Sequence, residues 1–294
     1  MKNPHLARLA MCFAMLSLAS AAGSYYCYAR DAALLRVKAS QLTAGIADPA
    51  ERVLALLNWV HNETGTAKNE QGYFLPQLGA TPCQVLEAGG DCADKSRLLS
   101  AMLRQIGLPA TMAMCLHPET GRPTHTIVEA QIGPGRFMVV DPAFDLAFPK
   151  PGSDGYYGLI DLRRDPSILT ARLDQRADTL APGDPLRSYN RSGAVYARAT
   201  TVNWNKNFVT RLVRDSLAGR LGENLYRLPR PPLLEEPQLA VASAGVLAGT
   251  VFGFAAMWFG RRDRTKRRGP AHKPASSAII AQARHSLGVG HPDA

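Results

Sequence analysis

The sequence predicts an α+β domain placed between two apolar segments. An apolar segment with helical spacing follows Cys92, two strand-like segments meet at the Gly-Pro-Gly turn at 133–135, and uncharged runs occupy residues 9–29 and 239–259. The mixture of helical and strand periodicity indicates one mixed domain. Each uncharged run is long enough to cross a bilayer as a helix.

The composition of the 294-residue chain fits one principal domain, since 46% of the residues are apolar and 20% are charged. The formal net charge of +10 is located mainly outside that domain. Residues 261–294 hold eight basic and two acidic side chains, whereas residues 30–238 hold 24 basic and 22 acidic ones. A nucleic-acid-binding domain is expected to carry its positive charge on the folded body. We therefore predict that nucleic acid is not a partner.

The two uncharged runs predict membrane attachment. Residues 1–29, with a basic start and an apolar stretch, are interpreted as an N-terminal membrane anchor; a cleavable signal peptide is the alternative. Residues 239–259 are predicted to form a transmembrane helix, because their glycines and alanines favour close helix packing in lipid and Trp258 lies at an interfacial end. The basic tail that follows, 260–294, is typical of a disordered segment.

The basic tail also predicts the topology, because basic clusters beside membrane spans remain cytoplasmic. Two spans then place both termini in the cytoplasm and the domain on the outer side. We predict a bacterial inner-membrane protein with its domain in the periplasm. The predicted boundaries are 1–29 for the anchor, 30–228 for the domain with a C-terminal extension, 229–238 for a stiff Pro-rich linker, 239–259 for the span and 260–294 for the tail.

Two helices are predicted before the strands. The first covers residues 49–63, with Asp48 as its N-cap and one apolar face. The second begins at Cys92 and ends before Gly107. A thiol at a helix N-terminus meets unpaired N–H groups and the positive end of the helix dipole, which favours the thiolate. A lone cysteine is more often an inert buried thiol, so this interpretation depends on its companions.

His125 and Asp141 are the predicted companions. If the turn is centred near Gly133, antiparallel pairing places His125 about opposite Asp141, where a carboxylate can orient an imidazole. Thiol catalysis needs a nucleophile, a base and a group that fixes the base. Taken separately, His125 is also compatible with a core histidine and Asp141 with a turn cap. Strand character is found at residues 110–116, 124–132 and 136–140.

The segments GGDCADKSRLLSAMLRQIGLPA, HTIVEA and FMVVDPAF together resemble the core of the transglutaminase-like superfamily. The resemblance covers residues 31–148. It implies a papain-like fold, in which a catalytic helix packs on an antiparallel sheet, with Cys92 as nucleophile, His125 as general base and Asp141 as the group that orients the histidine. One departure is Ile127, where the family often has Trp, so the substrate-facing wall is expected to differ.

The resemblance implies acyl transfer through a cysteine acyl-enzyme on an amide of a protein or peptide, without cofactor or metal. We favour a cysteine peptidase over a crosslinking acyltransferase. A third alternative is a non-catalytic, membrane-tethered module that holds an envelope or secretion-system component. Papain-like chemistry also implies an oxyanion donor upstream of the cysteine; Gln77 and Gln84 are candidates, and the role is left unassigned.

Three further expectations concern the rest of the chain. Residues 193–203, with Tyr196, have the character of an additional strand that completes the core. Residues 204–221 predict an amphipathic helix, for which packing on the domain is favoured over lying on the membrane. Cys83 and Cys115 are candidates for a disulfide in an oxidising compartment.

Overall fold

The computed structural model describes residues 4–66, 74–177, 180 and 194–267. The chain divides into two compact units, Met1–Ala19 with Val246–Ala294, and Ser20–Gly245. The part of the tail predicted to be disordered beyond residue 267 lies outside the described residues.

The first unit pairs the beginning of one long helix with the end of another. The helices Pro4–Leu42 (α1) and Pro237–Arg267 (α9) contribute to it. The ring of Phe13 stacks on that of Phe252 at 5.5 Å between centroids. A Cβ atom built on Gly249 would lie 2.7 Å from Leu18 Cγ, so only glycine allows the helices to approach this closely. Both helices are long and apolar enough to cross a membrane over His5–Leu42 and Pro237–Arg261.

The second unit is the mixed domain. Its elements are α2 Pro49–Glu63, α3 Pro82–Ala88, α4 Cys92–Gln105, β1 Ala110–Leu116, β2 Pro123–Gly133, β3 Arg136–Asp141, β4 Leu146–Ala147, α5 Leu159–Arg164, α6 Ser167–Ala177, α7 Ala194–Ala197, β5 Ala199–Thr200 and α8 Phe208–Leu221. The sheet has the strand order β4-β3-β2-β1-β5, and every neighbouring pair is antiparallel. The α+β class with an antiparallel sheet is therefore confirmed.

The sheet separates two buried apolar clusters. On one face, α4 packs on β2 with α2 and part of α1; this cluster includes Leu99, Met102 and Val128. On the other face, α5 and α6 cover a cluster that includes Ile127 and Val139. Successive strand residues point to opposite faces, which places Ile127 and Val128 in different clusters. Both faces of β2 are therefore buried through its middle.

Local signals placed the two predicted helices well. The Asp48 side chain accepts a hydrogen bond from Glu51 N at 3.0 Å, as expected of an N-cap. The second helix begins at Cys92, and Gly107 follows its end with φ of 80°. The predicted anchor boundary at residue 29 falls inside α1, which continues to Leu42. That boundary stays a prediction.

The Pro-rich segment 229–238 is docked on the domain, which corrects its interpretation as a spacer between domain and span. Glu235 and Glu236 are buried, and Arg104 of α4 contacts them at 2.5 Å and 2.9 Å. Glu235 also accepts a hydrogen bond from Met112 N at 3.2 Å. Two carboxylates shared by one arginine hold the segment in place.

Two further expectations are corrected. Tyr196 lies in the short helix α7, and the strand that follows has only two residues. The amphipathic helix exists as α8, but its apolar residues Phe208, Val209, Leu212 and Val213 are exposed, so the expected packing of its apolar face on the domain is wrong. Trp204, predicted to start this helix, is buried before its first turn.

Candidate active site

Cys92 is the first residue of α4, and the sequence around it fixes the helix start. The Asp91 carboxylate accepts hydrogen bonds from Ala93 N at 2.9 Å and Asp94 N at 3.1 Å. The Asp94 carboxylate in turn accepts a hydrogen bond from Asp91 N, which completes a capping box. Cys92 itself is half-buried. The thiol thus lies at the positive end of the helix dipole, at the edge of the domain core.

The glycines before Cys92 allow a close backbone contact. Gly89 has φ of 77°, and a Cβ atom built there would lie 2.5 Å from Gly65 O. Gly90 N donates to the same Gly65 carbonyl at 3.0 Å. The chain that approaches these glycines is the protein's own segment after α2. Lys95 secures it, because its buried ammonium donates to Thr64 O at 3.1 Å.

The sheet brings His125 and Asp141 together. His125 Nε2 lies 2.6 Å from Asp141 Oδ2. Val128 pairs with Val140, so Asp141 continues the register opposite Ile127 rather than His125. The pair is therefore diagonal, two positions from the expected one, with both side chains on the same face of the sheet. The difference arises because the turn is centred between Pro134 and Gly135, where Gly133 pairs with Arg136, rather than at Gly133.

His125 also interacts with the thiol. The Cys92 side chain is close enough to raise the pKa of the His125 imidazole. Since Nε2 is occupied by Asp141, the Nδ1 atom is the one left for Cys92. Ser96 Oγ donates to Thr126 O at 3.0 Å and so ties α4 to the strand residue next to His125. The helix that carries the cysteine is thereby fixed against the strand that carries the histidine.

The electrostatics favour a charged imidazole. Burial lowers the pKa of His125, but the charge and hydrogen bond of Asp141, and the contact with Cys92, outweigh it and raise the pKa to about 10. The imidazolium form is therefore stable at neutral pH. An imidazolium beside a thiol favours the thiolate, which is the nucleophilic form of cysteine.

Asp141 is completely buried, and three groups stabilise its carboxylate. Besides His125, the Tyr196 hydroxyl donates to Oδ2 at 2.7 Å and Ala143 N donates to Oδ1 at 3.0 Å. Tyr196 was missed as a site residue, because it lies 55 positions from Asp141 and no local spacing links them. A buried carboxylate nevertheless needs hydrogen-bond donors. A tyrosine in an apolar segment is a signal for such a donor, because a buried tyrosine hydroxyl also needs a partner.

Ile127, the position at which the chain departs from the family pattern, is a core residue and not part of an exposed wall. Ile127 is fully buried in the cluster that also contains Val139 and Tyr196. Two positions further, Glu129 accepts hydrogen bonds from Leu159 N at 2.8 Å and from Arg227 at 2.6 Å. Glu129 thus joins the strand to α5 and to the C-terminal extension.

The other candidates have different surroundings. Gln84 Oε1 accepts from Thr81 N at 2.8 Å and takes part in the capping box of α3, while Gln77 is exposed. Cys83 and Cys115 are both free thiols and belong to separate core clusters, so the candidate disulfide is absent. Among the residues that the structure describes, no group of three or more His, Cys, Asp and Glu side chains is arranged to hold a metal.

The fold and the site together define a papain-like arrangement, in which a cysteine at a helix start meets a histidine and an aspartate on an antiparallel sheet. Residues 36–142 match the family model of the transglutaminase-like superfamily. The chain therefore contains a transglutaminase-like domain, and the matched range includes Cys92, His125 and Asp141.

Two further comparisons are narrower. A crystal structure of a candidate cysteine protease from Cytophaga hutchinsonii is 24% identical, with a TM-score of 0.31. The match covers 38% of this chain and 37% of that protein, so it is confined to a part of each. Comparison with curated proteins gives no match.

Proposed function

We propose that this protein is a membrane-anchored thiol enzyme that cleaves an amide bond of a protein or peptide through an acyl-enzyme on Cys92. The observation that carries the proposal is the position of His125, whose Nε2 lies 2.6 Å from Asp141 Oδ2 and whose pKa is raised by both Asp141 and Cys92. This arrangement supplies a nucleophile, a base and a group that orients the base.

In the proposed reaction the Cys92 thiolate attacks the carbonyl carbon of the amide. A C–S bond forms, the carbonyl electron pair moves to oxygen, and His125 holds the proton as imidazolium. Collapse of the tetrahedral intermediate breaks the C–N bond, and His125 gives its proton to the leaving amine. Cys92 is left as a thioester and His125 as neutral imidazole.

The second half regenerates the enzyme. Neutral His125 takes a proton from water as the water oxygen attacks the thioester carbon, and the C–S bond then breaks to release the carboxylic acid and the thiolate. Asp141 stabilises the imidazolium at both stages and keeps Nδ1 directed at Cys92. If an amine replaced water, the same steps would form a crosslink, so the acceptor alone separates peptidase from acyltransferase.

We further propose that the domain faces the periplasm of a bacterial inner membrane and that the tail is cytoplasmic. The support is the basic sequence 261–268 directly after an apolar helix that is long enough to cross a bilayer. A membrane-impermeant thiol reagent tests this topology. On intact spheroplasts the reagent should label Cys92 as fast as it does after the membrane is broken. Protection of Cys92 until the membrane is broken would contradict the orientation.

The first experiment on the chemistry is the pH-dependent alkylation of Cys92 in the full chain, followed by peptide mass spectrometry. Cys83 and Cys115 are internal controls: burial raises the pKa of Cys83 to about 12 and also raises the pKa of Cys115. We expect Cys92 to react rapidly near neutral pH, and the rate to collapse in His125→Ala and to fall in Asp141→Ala.

Slow alkylation of Cys92 that neither variant changes would reject the enzyme and favour the tethered binding module. Rapid alkylation would justify a search for substrate with a periplasmic protein extract. Mass spectrometry of the products then separates the two acyl acceptors, because hydrolysis creates new termini and transamidation joins two chains. Cys92→Ser is the matched inactive control for both readouts.

A further inference from the structure

The helix α8 exposes an apolar strip that the domain leaves uncovered. Phe208 is 70% exposed, Val209 64%, Leu212 56% and Val213 42%. These four residues, called the α8 strip below, recur at positions i, i+1, i+4 and i+5, which share one side of a helix. Such grouping distinguishes them from single apolar residues scattered on a surface.

The other side of α8 is partly covered. Thr210, Arg214 and Leu217 are half-buried, and Arg214 donates to Asn205 Oδ1 at 2.7 Å. Asn207 caps the first turn by accepting from Thr210 N at 2.9 Å. The side of the helix with Thr210, Arg214 and Leu217 is therefore partly covered, whereas the α8 strip is exposed.

The charges that flank the strip have one predominant sign. Lys206, Arg211 and Arg220 are all exposed. The acidic residue of the helix, Asp215, forms an ion pair with Arg214 at 2.8 Å. An apolar strip bordered by exposed basic residues is complementary to a surface that is anionic outside and apolar beneath, which describes the headgroup region of an anionic bilayer.

We propose that α8 lies on the surface of an anionic lipid membrane and inserts the α8 strip at the boundary between headgroups and acyl chains. The chain itself favours lipid over a protein partner, because two of its helices are long and apolar enough to cross a membrane. A covalent tether to a bilayer gives α8 a high effective concentration of lipid. This inference uses the proposed membrane attachment and is independent of the proposed chemistry at Cys92.

A site-specific photocrosslinker tests the contact in the full chain. Leu212→benzoylphenylalanine is reconstituted into vesicles of phosphatidylcholine and phosphatidylglycerol and irradiated, and adducts are identified by mass spectrometry. Ala218→benzoylphenylalanine is the matched control, since Ala218 is exposed on the same helix but away from the α8 strip. We expect severalfold more phospholipid adduct at position 212 than at 218.

The charge requirement is tested with the same probe. Arg211→Glu combined with Arg220→Glu should lower the lipid adduct at position 212 severalfold in the anionic vesicles, and added salt should do the same. Adducts to protein alone at position 212, including a second copy of the chain, would overturn the proposal, as would equal lipid yields at 212 and 218. Retention of the protein in the membrane during alkaline extraction measures membrane spanning separately. Failure of the anchor would therefore be seen in the extraction, and failure of α8 docking in the photocrosslinking.

Discussion

Tyr196 and His125 meet at one oxygen atom: Asp141 Oδ2 accepts from the Tyr196 hydroxyl at 2.7 Å and lies 2.6 Å from His125 Nε2. Because Asp141 has no access to solvent, its negative charge depends on these partners and on Ala143 N. Tyr196 is thus placed to fix the carboxylate that orients the histidine. Its ring also packs edge-on against Phe148, at 5.7 Å between centroids, which holds the hydroxyl in position.

The variant Tyr196→Phe removes this donor while keeping the ring. A hydrogen bond to a charged group contributes about 1.5–3 kcal/mol, so we expect a loss of this size in the free energy of unfolding. We also expect slower alkylation of Cys92 near neutral pH, because Asp141 can then turn away from His125. Chemical denaturation and the alkylation rate measure the two effects. Tyr156→Phe, in the other core cluster, is the control; equal behaviour of both variants would exclude a positioning role for Tyr196.

The raised pKa of His125 predicts a pH dependence of stability. Its ordinary value of 6.5 applies to the unfolded chain, and the folded value is about 10. A raised pKa means that folding favours the protonated form, so the contribution is complete below about pH 6.5 and is lost as the pH rises through about 10. The contribution is on the order of a few kcal/mol.

Denaturation of the wild type and of His125→Gln between these two pH values tests the prediction. The difference in unfolding free energy should shrink as the pH rises, because only the wild type loses the imidazolium. Asp141→Asn should remove most of the same pH dependence, since it removes the carboxylate that raises the pKa. A difference that stays constant with pH would show that folding does not raise the pKa of His125.

The elements of the site that could be predicted from sequence are those with local signals. The capping residues before α4 and the Gly107 exit define the helix of Cys92 within a few positions. The turn at 133–135 defines the hairpin, and alternation along β2 and β3 defines which side chains share a face. The register was two positions off, because the turn is centred between Pro134 and Gly135 rather than at Gly133, and residue types alone do not fix the centre of a Gly-Pro-Gly turn.

What could not be predicted depends on contacts between distant parts of the chain. Tyr196 reaches Asp141 across 55 positions, and Arg104 reaches Glu235 across 131. In α8 the periodicity identified an amphipathic helix but not what covers its apolar side, because the same pattern suits a core and a membrane surface. The sequence 229–238 was interpreted as a spacer because its prolines can be recognised locally. Arg104, the partner of its two glutamates, is distant in sequence and could not be recognised in this way.

Glu129 and Arg227 provide a test of the connection between β2 and the C-terminal extension. Arg227 lies 2.6 Å from Glu129 Oε1 and stacks over Phe137, with 3.5 Å from its guanidinium carbon to the ring centroid. Arg227→Ala leaves the carboxylate buried without its cation, and we expect a loss of about 3–5 kcal/mol in the free energy of unfolding.

Glu129→Gln should cost less, because a glutamine oxygen can still accept the hydrogen bond from Leu159 N. The matched control is Arg164→Ala, which breaks an exposed ion pair with Glu223 and should cost less than about 1 kcal/mol. Thermal or chemical denaturation measures all three variants. Similar losses for Arg227→Ala and Arg164→Ala would contradict the structural role of the buried pair.

The contact between Arg104 and the docked segment 229–236 predicts resistance to proteolysis. Burial raises the pKa of Glu236, so this carboxylate depends on Arg104 to remain charged, and Glu235 is equally buried. Arg104→Ala leaves both carboxylates without their shared cation, and detachment of the segment into water is the least costly response.

Detachment would expose the backbone around Arg230, because this residue is held on the domain by its N–H, which donates to Thr111 Oγ1 at 3.2 Å. Limited digestion with trypsin should therefore cut Arg104→Ala after Arg227 much faster than the wild type, because detachment of the segment frees the chain beyond this bond, whereas Pro231 blocks cleavage after Arg230 in both proteins. Arg136→Ala, which removes an exposed arginine, is the control. Unchanged cleavage in Arg104→Ala would contradict this role of Arg104. The restricted backbone of the prolines would then protect the segment without the ion pairs of the two glutamates.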